Sequence, residues 1–235
     1  MAVGRLKWDE DGKRTYETGI SNGALFVKND DGTYADGVAW NGLISVTESP
    51  DGAEPNALYA DNMKYLNLIS AEDLKLTVEA YTYPDEFCAC NGEEEMSVTS
   101  QGTTTKLGVR IGQQARRAFA LAYITKIGTD ATESAGQKLH IIYGCTASPS
   151  ERAYETTNES PDAIQFSWEV STVPIPVTKI AGARPTAILT IDSRTCEKWD
   201  EIYGIIFGND QAGSAEATAP TLKTPDQIYD ILTTN

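Results

Sequence analysis

The fold class is decided by the stretch Leu74-Lys75-Leu76-Thr77-Val78-Glu79-Ala80-Tyr81-Thr82-Tyr83. In an extended chain, Leu74, Leu76, Val78, Ala80 and Thr82 share one face, and the residues between them share the other. The first face is mostly apolar, whereas the second mixes charged, polar and aromatic side chains. This alternation predicts a β-strand that turns one face into a hydrophobic core.

Similar short stretches lie on both sides of this strand and are separated by turn dipeptides such as Asn22-Gly23, Asn41-Gly42 and Asn91-Gly92. They are rich in β-branched and aromatic residues, which favour strands. We therefore predict further strands at residues 43–47, 106–111, 117–127, 139–147, 164–172 and 186–192. The sequence indicates a mainly β protein, an antiparallel β-sandwich or barrel.

One packed α-helix is predicted at residues 196–207. Its apolar residues recur at helical spacing, which gives the helix a stripe to lay on the sheet: Trp199, Ile202, Tyr203 and Ile206. Ser193 or Thr195 is expected to cap its start, and Gly208 to end it in the left-handed conformation.

A second, short helix is predicted at 225–232, where Thr224, Pro225 and Gln227 supply a cap, a first-turn proline and a capping-box partner. The Ala/Gly/Ser/Thr/Pro-rich stretch 209–223 before it is typical of a linker. We expect a β-sandwich domain over 1–208, with a long loop at about 28–56, and a C-terminal linker and arm over 209–235.

Charge and hydropathy exclude several classes of protein. Lysine and arginine number 19 against 34 acidic residues, so the net charge is −15, which disfavours binding to duplex DNA or anionic lipid. No apolar run is long enough to span a bilayer, and the polar start 1–12 lacks a signal-peptide core. The protein is expected to stay in the cytosol of the cell that makes it.

No constellation of catalytic or metal-binding residues stands out. The four cysteines, Cys88, Cys90, Cys145 and Cys196, lack paired C-x-x-C spacing and are expected to be free thiols. The single histidine, His140, falls in a predicted strand and is more typical of a strand residue with a satisfied ring than of a catalytic base. We expect no enzyme activity, cofactor or metal.

Opposite charges are segregated along the chain. The acidic residues Asp85, Glu86, Glu93, Glu94 and Glu95 are followed by a stretch, 96–129, that contains only basic charges. The carboxylates could form an acid–base pair or a calcium site, but a solvated loop explains them with fewer assumptions. In an oligomer they would form a ring of like charge, and the complementary blocks would suit contacts between subunits.

Two stretches carry a family resemblance. The first runs Leu58-Tyr59-Ala60-Asp61-Asn62-Met63-Lys64-Tyr65, then Ser70-Ala71-Glu72-Asp73, and then from Thr77 to Phe87. The second runs from Leu139 to Gly144, from Ala147 to Thr156, and through Ser160-Pro161 and Phe166-Ser167-Trp168-Glu169. In content and order, roughly over residues 20 to 208, they resemble the major tail proteins of siphophages and their prophages.

The resemblance implies a β-sandwich tube protein that closes into hexameric rings, whose inner strands merge into a β-barrel. The rings would stack around the tape measure protein, between tail terminator and distal tail proteins, in a virion tail assembled in the bacterial cytoplasm. Double-stranded DNA would pass through without specific binding, because an acidic lumen repels it. The alternative is a virion-surface β-sandwich module that binds carbohydrate or a host.

Under the tail-tube hypothesis we assign three sets of residues. The candidate lumen-facing carboxylates are Glu93, Glu94 and Glu95. The candidate inter-subunit residues are Tyr81, Tyr83, Asp85, Glu86, Phe87, Arg110, Arg116 and Arg117. The candidate inter-ring arm carries Pro225, Ile228, Tyr229 and Leu232, and deletion of 209–235 is expected to impair ring stacking more than folding.

Overall fold

The computed structural model describes residues 8, 10–52, 54–69, 72–100, 102–150, 152–154, 156, 162–210 and 217–234. Residues 70–71, 155, 157–161 and 211–216, which carry parts of the family motifs and of the predicted linker, lie outside this description. Antiparallel strands and two short helices make up the described chain, which confirms the predicted mainly β class.

The elements of the described chain follow in order. The strands are β1 (Thr15–Val27), β2 (Val38–Trp40), β3 (Leu43–Asp51), β4 (Pro55–Ala60), β5 (Met63–Ile69), β6 (Asp73–Ala80), β7 (Glu94–Ser100), β8 (Thr103–Ile111), β9 (Phe119–Thr129), β10 (Gly136–Pro149), β11 (Phe166–Thr172) and β12 (Ile188–Asp192). The helices are α1 (Trp199–Phe207) and α2 (Pro225–Thr233), and a 3-10 helix spans Asp85–Ala89.

The main sheet has the strand order β2-β1-β9-β10-β11-β6-β3, and β12 pairs with β10. Each predicted strand overlaps a strand of this sheet or, for 106–111, strand β8. The long loop predicted at about 28–56 encloses the strand expected at 43–47, which is β3, and it also contains β2 and the first residues of β4, which were not predicted. The sheet also bends far enough for β1 and β3 to contact each other.

The first core lies on the face that β6 turns inward. Leu74, Leu76, Val78 and Ala80 are buried, as the alternation predicts, but the strand ends at Ala80. They pack in one cluster with aromatic rings from four other parts of the chain: Trp40, Phe87, Phe119 and Trp168. The Trp40 and Phe87 ring centroids are 4.5 Å apart, and those of Phe87 and Trp168 are 5.1 Å apart.

A second core lies on the opposite face of the main sheet. Strand β9 is buried on both faces at its start, because Phe119 and Leu121 enter the first core while Ala120 and Ala122 enter the second. The second core is covered by the helices, which contribute Ile202, Ile206 and Ile228. The stretch from Phe119 to Ile124 is therefore apolar throughout, as a strand covered on both sides requires.

Helix α1 begins later than predicted. It starts at Trp199, is preceded by Lys198, and has no side-chain cap, so the assignment of Ser193 or Thr195 as its cap is wrong. Residues 192–195 instead form a turn in which Asp192 accepts a hydrogen bond from the Arg194 backbone N–H. Gly208 does end the helix with a positive φ of 79°, but its ψ of 165° is extended rather than left-handed helical.

Strand β10 changes its partner at a bulge around Gly144. Its first half pairs with β9 and β12, and its second half pairs with β11. Gly144 has φ 62°, and a Cβ there would lie 2.3 Å from the Val173 carbonyl oxygen. Only glycine fits this bend without strain.

Helix α2 has the predicted capping box: the Thr224 hydroxyl accepts from the Gln227 backbone N–H, and the Gln227 side chain accepts from the Thr224 backbone N–H. The helix is held to the rest of the chain from both ends. The Tyr143 hydroxyl donates to the Lys223 carbonyl at 2.8 Å, and the Lys198 ammonium donates to the Ile231 carbonyl at 2.7 Å. The described residues 217–234 are thus part of the folded body.

Candidate assembly surface

Two hairpins stand apart from the main sheet. Strands β4 and β5 pair with each other, as do β7 and β8. Within the described chain, no further strand is hydrogen-bonded to either pair. All seven residues of β5 and all nine of β8 are exposed. We call these hairpins ribbon 1 (Pro55–Ala60 and Met63–Ile69) and ribbon 2 (Glu94–Ser100 and Thr103–Ile111).

Ribbon 2 has one polar and one apolar face. In its register Glu95 lies opposite Arg110, Ser97 opposite Lys106 and Thr99 opposite Thr104, so these residues share a face. The other face, which we call apolar, exposes five large apolar side chains to water, together with Glu94 and Thr105: Met96, Val98, Leu107, Val109 and Ile111. Val98 is 51% exposed although its type is usually buried.

Ribbon 1 closes through a tight turn at Asp61 and Asn62, which both have positive φ, as a two-residue hairpin turn requires. Leu58 lies opposite Leu66, and Ala60 opposite Met63, on one face. Other large side chains are also exposed on this ribbon, with Tyr59 at 73% and Tyr65 at 70%. Both ribbons therefore present apolar or aromatic surface outside the two cores.

The sequence predicts only part of this surface. A strand was expected at 106–111, but neither its partner β7 nor the strands of ribbon 1 were assigned. The signal was present in Asp61-Asn62 between runs of strand-forming residues, and in the alternation of Met96 and Val98 with serine and threonine.

The complementary charge blocks are paired within the chain. Arg110 lies 2.5 Å from Asp85, Lys106 lies 2.9 Å from Glu95, and Arg117 lies 3.5 Å from Asp30. Asp85 and Arg110, which the sequence assigns to contacts between subunits, bind each other within the chain and remain partly exposed, so that assignment stays a prediction. Glu86 and Arg116 are exposed, and Arg116 also donates to the Ala147 carbonyl at 3.2 Å.

The candidate lumen carboxylates have three different surroundings. Glu93 is half-buried and accepts from Arg152 at 3.1 Å and from Asn91 at 2.8 Å, whereas Glu95 is paired with Lys106. Glu94 is exposed on the side of β7 opposite to Glu95. The three residues therefore do not form one acidic patch.

Asn91 links ribbon 2 to the first core. The Trp168 indole N–H donates to the Asn91 side-chain oxygen at 2.9 Å, and the Asn91 amide donates to Glu93 just before β7. Asn91 is 5% exposed, so this polar side chain is buried with its hydrogen bonds satisfied. Asn91 therefore fixes the base of ribbon 2 to the first core, whereas most of the remaining ribbon is exposed and does not pack on the core.

The three aromatic residues assigned to contacts between subunits differ in exposure. Tyr81 is exposed and free to contact another chain, but Tyr83 is half-buried and Phe87 is fully buried. Tyr83 packs edge-on against Phe166, with ring centroids 5.3 Å apart. Phe87 is excluded from an interface because its ring already fills the first core.

The inter-ring arm prediction is corrected in the same way. Pro225 and Ile228 are buried, since the apolar side of α2 covers the second core, whereas Tyr229 and Leu232 are exposed. Ile228 is only 3% exposed. An amphipathic helix packs its apolar side on a sheet face that nothing else covers. The linker-like composition of the stretch before α2 gives no sign of this packing.

His140, on β10, lies beside the cleft where β1 and β3 contact each other. Its ring stacks on Tyr123 with centroids 4.8 Å apart, and its Nε2 lies 3.0 Å from the Thr125 hydroxyl and 3.3 Å from Glu17. Its Nδ1 is buried and has no hydrogen-bond partner among the described residues, so the expectation of a fully satisfied ring is wrong.

Glu17 makes folding stability depend on pH. Partial burial opposes its ionisation, but hydrogen bonds from Lys138 and Thr125 outweigh burial and lower its pKa below the ordinary 4.5. A carboxyl with a lowered folded-state pKa stabilises the fold above its unfolded pKa, and this stabilisation is lost as pH falls through the lowered value. We expect Glu17→Gln to destabilise the protein near neutral pH and to flatten the pH dependence of its unfolding free energy below about pH 4.5.

Urea denaturation at about pH 7 and about pH 3 measures this effect. Glu133→Gln, at an exposed carboxylate, is the control and should retain the pH dependence of the unaltered chain. An unaltered pH dependence in Glu17→Gln would contradict the assignment.

Three of the four thiols are shielded from solvent. All four cysteines are free, and Cys88, Cys90 and Cys145 are buried. Burial raises the pKa of Cys90 to about 12 and also raises the pKa of Cys145, which keeps both protonated near neutral pH. Among the described residues no group of three or more histidine, cysteine or acidic side chains is placed to hold a metal ion.

Comparison of the chain with protein-family models gives no match, and comparison with curated proteins gives none either. Within the described chain, no helix combines the length and the apolar character needed to cross a membrane.

Proposed function

We propose that the protein is the major subunit of the tail tube of a long-tailed bacteriophage, a structural role without catalysis. Copies of the chain close into hexameric rings, the rings stack around a tape measure protein, and the channel passes the genome. The observation that carries this proposal is the pair of ribbons. They expose apolar faces to water, whereas the main sheet of the described chain buries its apolar residues in two cores.

An isolated two-stranded hairpin is marginally stable in water, and its outer edges carry unpaired backbone N–H and C=O groups. Both costs are removed when ribbons of neighbouring copies pair edge to edge and turn their apolar faces toward the subunit bodies. Contacts that repeat head to tail by a fixed rotation close into a ring.

The dimensions suit a channel for DNA. Six copies that each give four ribbon strands form a barrel of about 24 strands, and at about 4.8 Å per strand its backbone diameter is at least about 37 Å. After the inward-pointing side chains are allowed for, such a barrel leaves a channel wide enough for a DNA double helix. The net charge of −15 supports passage, because an acidic protein has little affinity for phosphate.

The proposal includes the partners that the family resemblance implies. Tail terminator and distal tail proteins bound the tube, which is assembled in the bacterial cytoplasm and becomes part of the virion. Negative-stain electron microscopy and sedimentation velocity of the purified protein test it, with rings or tubes as the expected result. A chain that stays monomeric at high concentration, even with its tail initiation complex present, would overturn the proposal.

The exposed tyrosines of ribbon 1 favour a second candidate. Tyr59 and Tyr65 resemble the aromatic platforms on which sugar rings pack, which fits a virion-surface module that binds carbohydrate or a host. Glycan-array binding by a stable monomer would support this candidate, and binding should then be lost in Tyr59→Ala.

A further inference from the structure

Ribbon 2 carries two cationic side chains, and each has a carboxylate partner. The Lys106 ammonium lies 2.9 Å from a Glu95 oxygen on the opposite strand of the ribbon. The Arg110 guanidinium lies 2.5 Å from an Asp85 oxygen in the 3-10 helix at the base of the ribbon. These contacts raise the pKa of Lys106 and of Arg110, each through its hydrogen bond to the carboxylate.

Both ion pairs involve the polar face, while the outer half of that face is uncharged. Glu95, Lys106 and Arg110 share it with Ser97, Thr99 and Thr104, and the last two hydroxyls lie 2.9 Å apart across the strands. The opposite face is mainly apolar, with Glu94 at its base and Thr105 opposite Val98, so the polar face is the one better suited to contact water.

We infer that the polar face of ribbon 2 faces the channel, and that Glu95 and Asp85 mask its two cations so that the passing duplex is not held. The inference rests on the proposed tail tube, because only there does DNA meet this face. In this inference the channel is lined by paired charges and hydroxyl groups, in place of the candidate lumen-facing carboxylates Glu93, Glu94 and Glu95.

The physical reason is the charge density of DNA. A duplex carries one negative charge per about 1.7 Å, and every uncompensated lysine or arginine that meets it releases counterions and adds affinity. In a ring each cation is repeated by symmetry, so two unmasked cations per subunit would give a continuous basic belt. A carboxylate within ion-pair distance cancels the positive charge of the lysine or arginine, which would otherwise attract phosphate.

The test removes the masks without altering the cations. Tubes of the double variant Asp85→Asn/Glu95→Gln should retain duplex DNA at about 50 mM salt at least about tenfold more than unaltered tubes, and should release it near about 200 mM. The matched control is Glu86→Gln/Glu94→Gln, which makes the same change in net charge at the adjacent exposed carboxylates and should retain no more DNA than unaltered tubes.

The outcomes separate the two proposals. Failure of the unaltered chain to form tubes with its initiation complex overturns the tail-tube function itself. Tubes of the double variant that retain no more DNA than unaltered tubes, or than control tubes, overturn the masking inference alone. If the double variant does not assemble, electrophoretic mobility shift with unassembled subunits makes the same comparison, and equal DNA binding by double variant and control again overturns it.

Discussion

If the chain forms the proposed tail tube, the protein carrying Met96→Asp and Val98→Asp is expected to remain a folded, unassembled subunit where the unaltered chain assembles. Both side chains lie on the apolar face of ribbon 2, and both are exposed in the single chain. Burying an aliphatic side chain of this size contributes roughly 1.5–3 kcal/mol. Loss of two such contacts, with a carboxylate at each position, should raise the critical concentration for assembly more than about a hundredfold.

The matched control is Ser97→Asp/Thr99→Asp, which adds the same charge at the same spacing on the same strand but on the polar face. It should form tubes. Thermal denaturation should show that both variants keep the folded body, with changes in unfolding free energy within about 1 kcal/mol, because all four positions are exposed. Unaltered assembly of Met96→Asp/Val98→Asp would show that this face is not the contact between copies.

The second large effect is expected at α2. Ile228→Ala should lower the free energy of unfolding by roughly 2–5 kcal/mol, since it leaves a cavity in the second core between the helices and the sheet. Leu232→Ala, on the same helix but 45% exposed, should cost less than about 1 kcal/mol and is the control. Equal effects in urea denaturation would contradict the packing described here.

The same contacts reverse the expectation for the C-terminal deletion. Removing residues 209–235 uncovers the second core and removes the carbonyl to which the buried Tyr143 hydroxyl donates. The truncated chain should therefore be destabilised as a subunit, rather than fold normally and fail only at ring stacking.

Local patterns predict the parts of the fold that depend on local spacing. The alternation in β6 predicts which face of the strand is buried, and the capping box predicts where α2 begins; the structure confirms both. The start of α1 was missed because Lys198, just before it, binds carbonyls at the end of α2, a contact distant in sequence.

The candidate surface could be predicted less well. Segregated charges are visible in the sequence, but whether Asp85 binds Arg110 of its own chain or of another depends on how the ribbon folds back beside the 3-10 helix. Alternation in β7 and β8 shows that one face is apolar, yet it does not show what covers that face. Phe87 illustrates the same limit, since an aromatic residue suits a core and an interface equally well.

Both ribbons contain an interruption of register, between Leu58 and Tyr59 in ribbon 1 and between Glu95 and Ser97 in ribbon 2. Such bulges twist and break an otherwise flat edge, which slows indiscriminate stacking of identical strands into fibres. In the proposed tail tube, these bulges would delay pairing between free subunits until a starting template offers edges with matching interruptions.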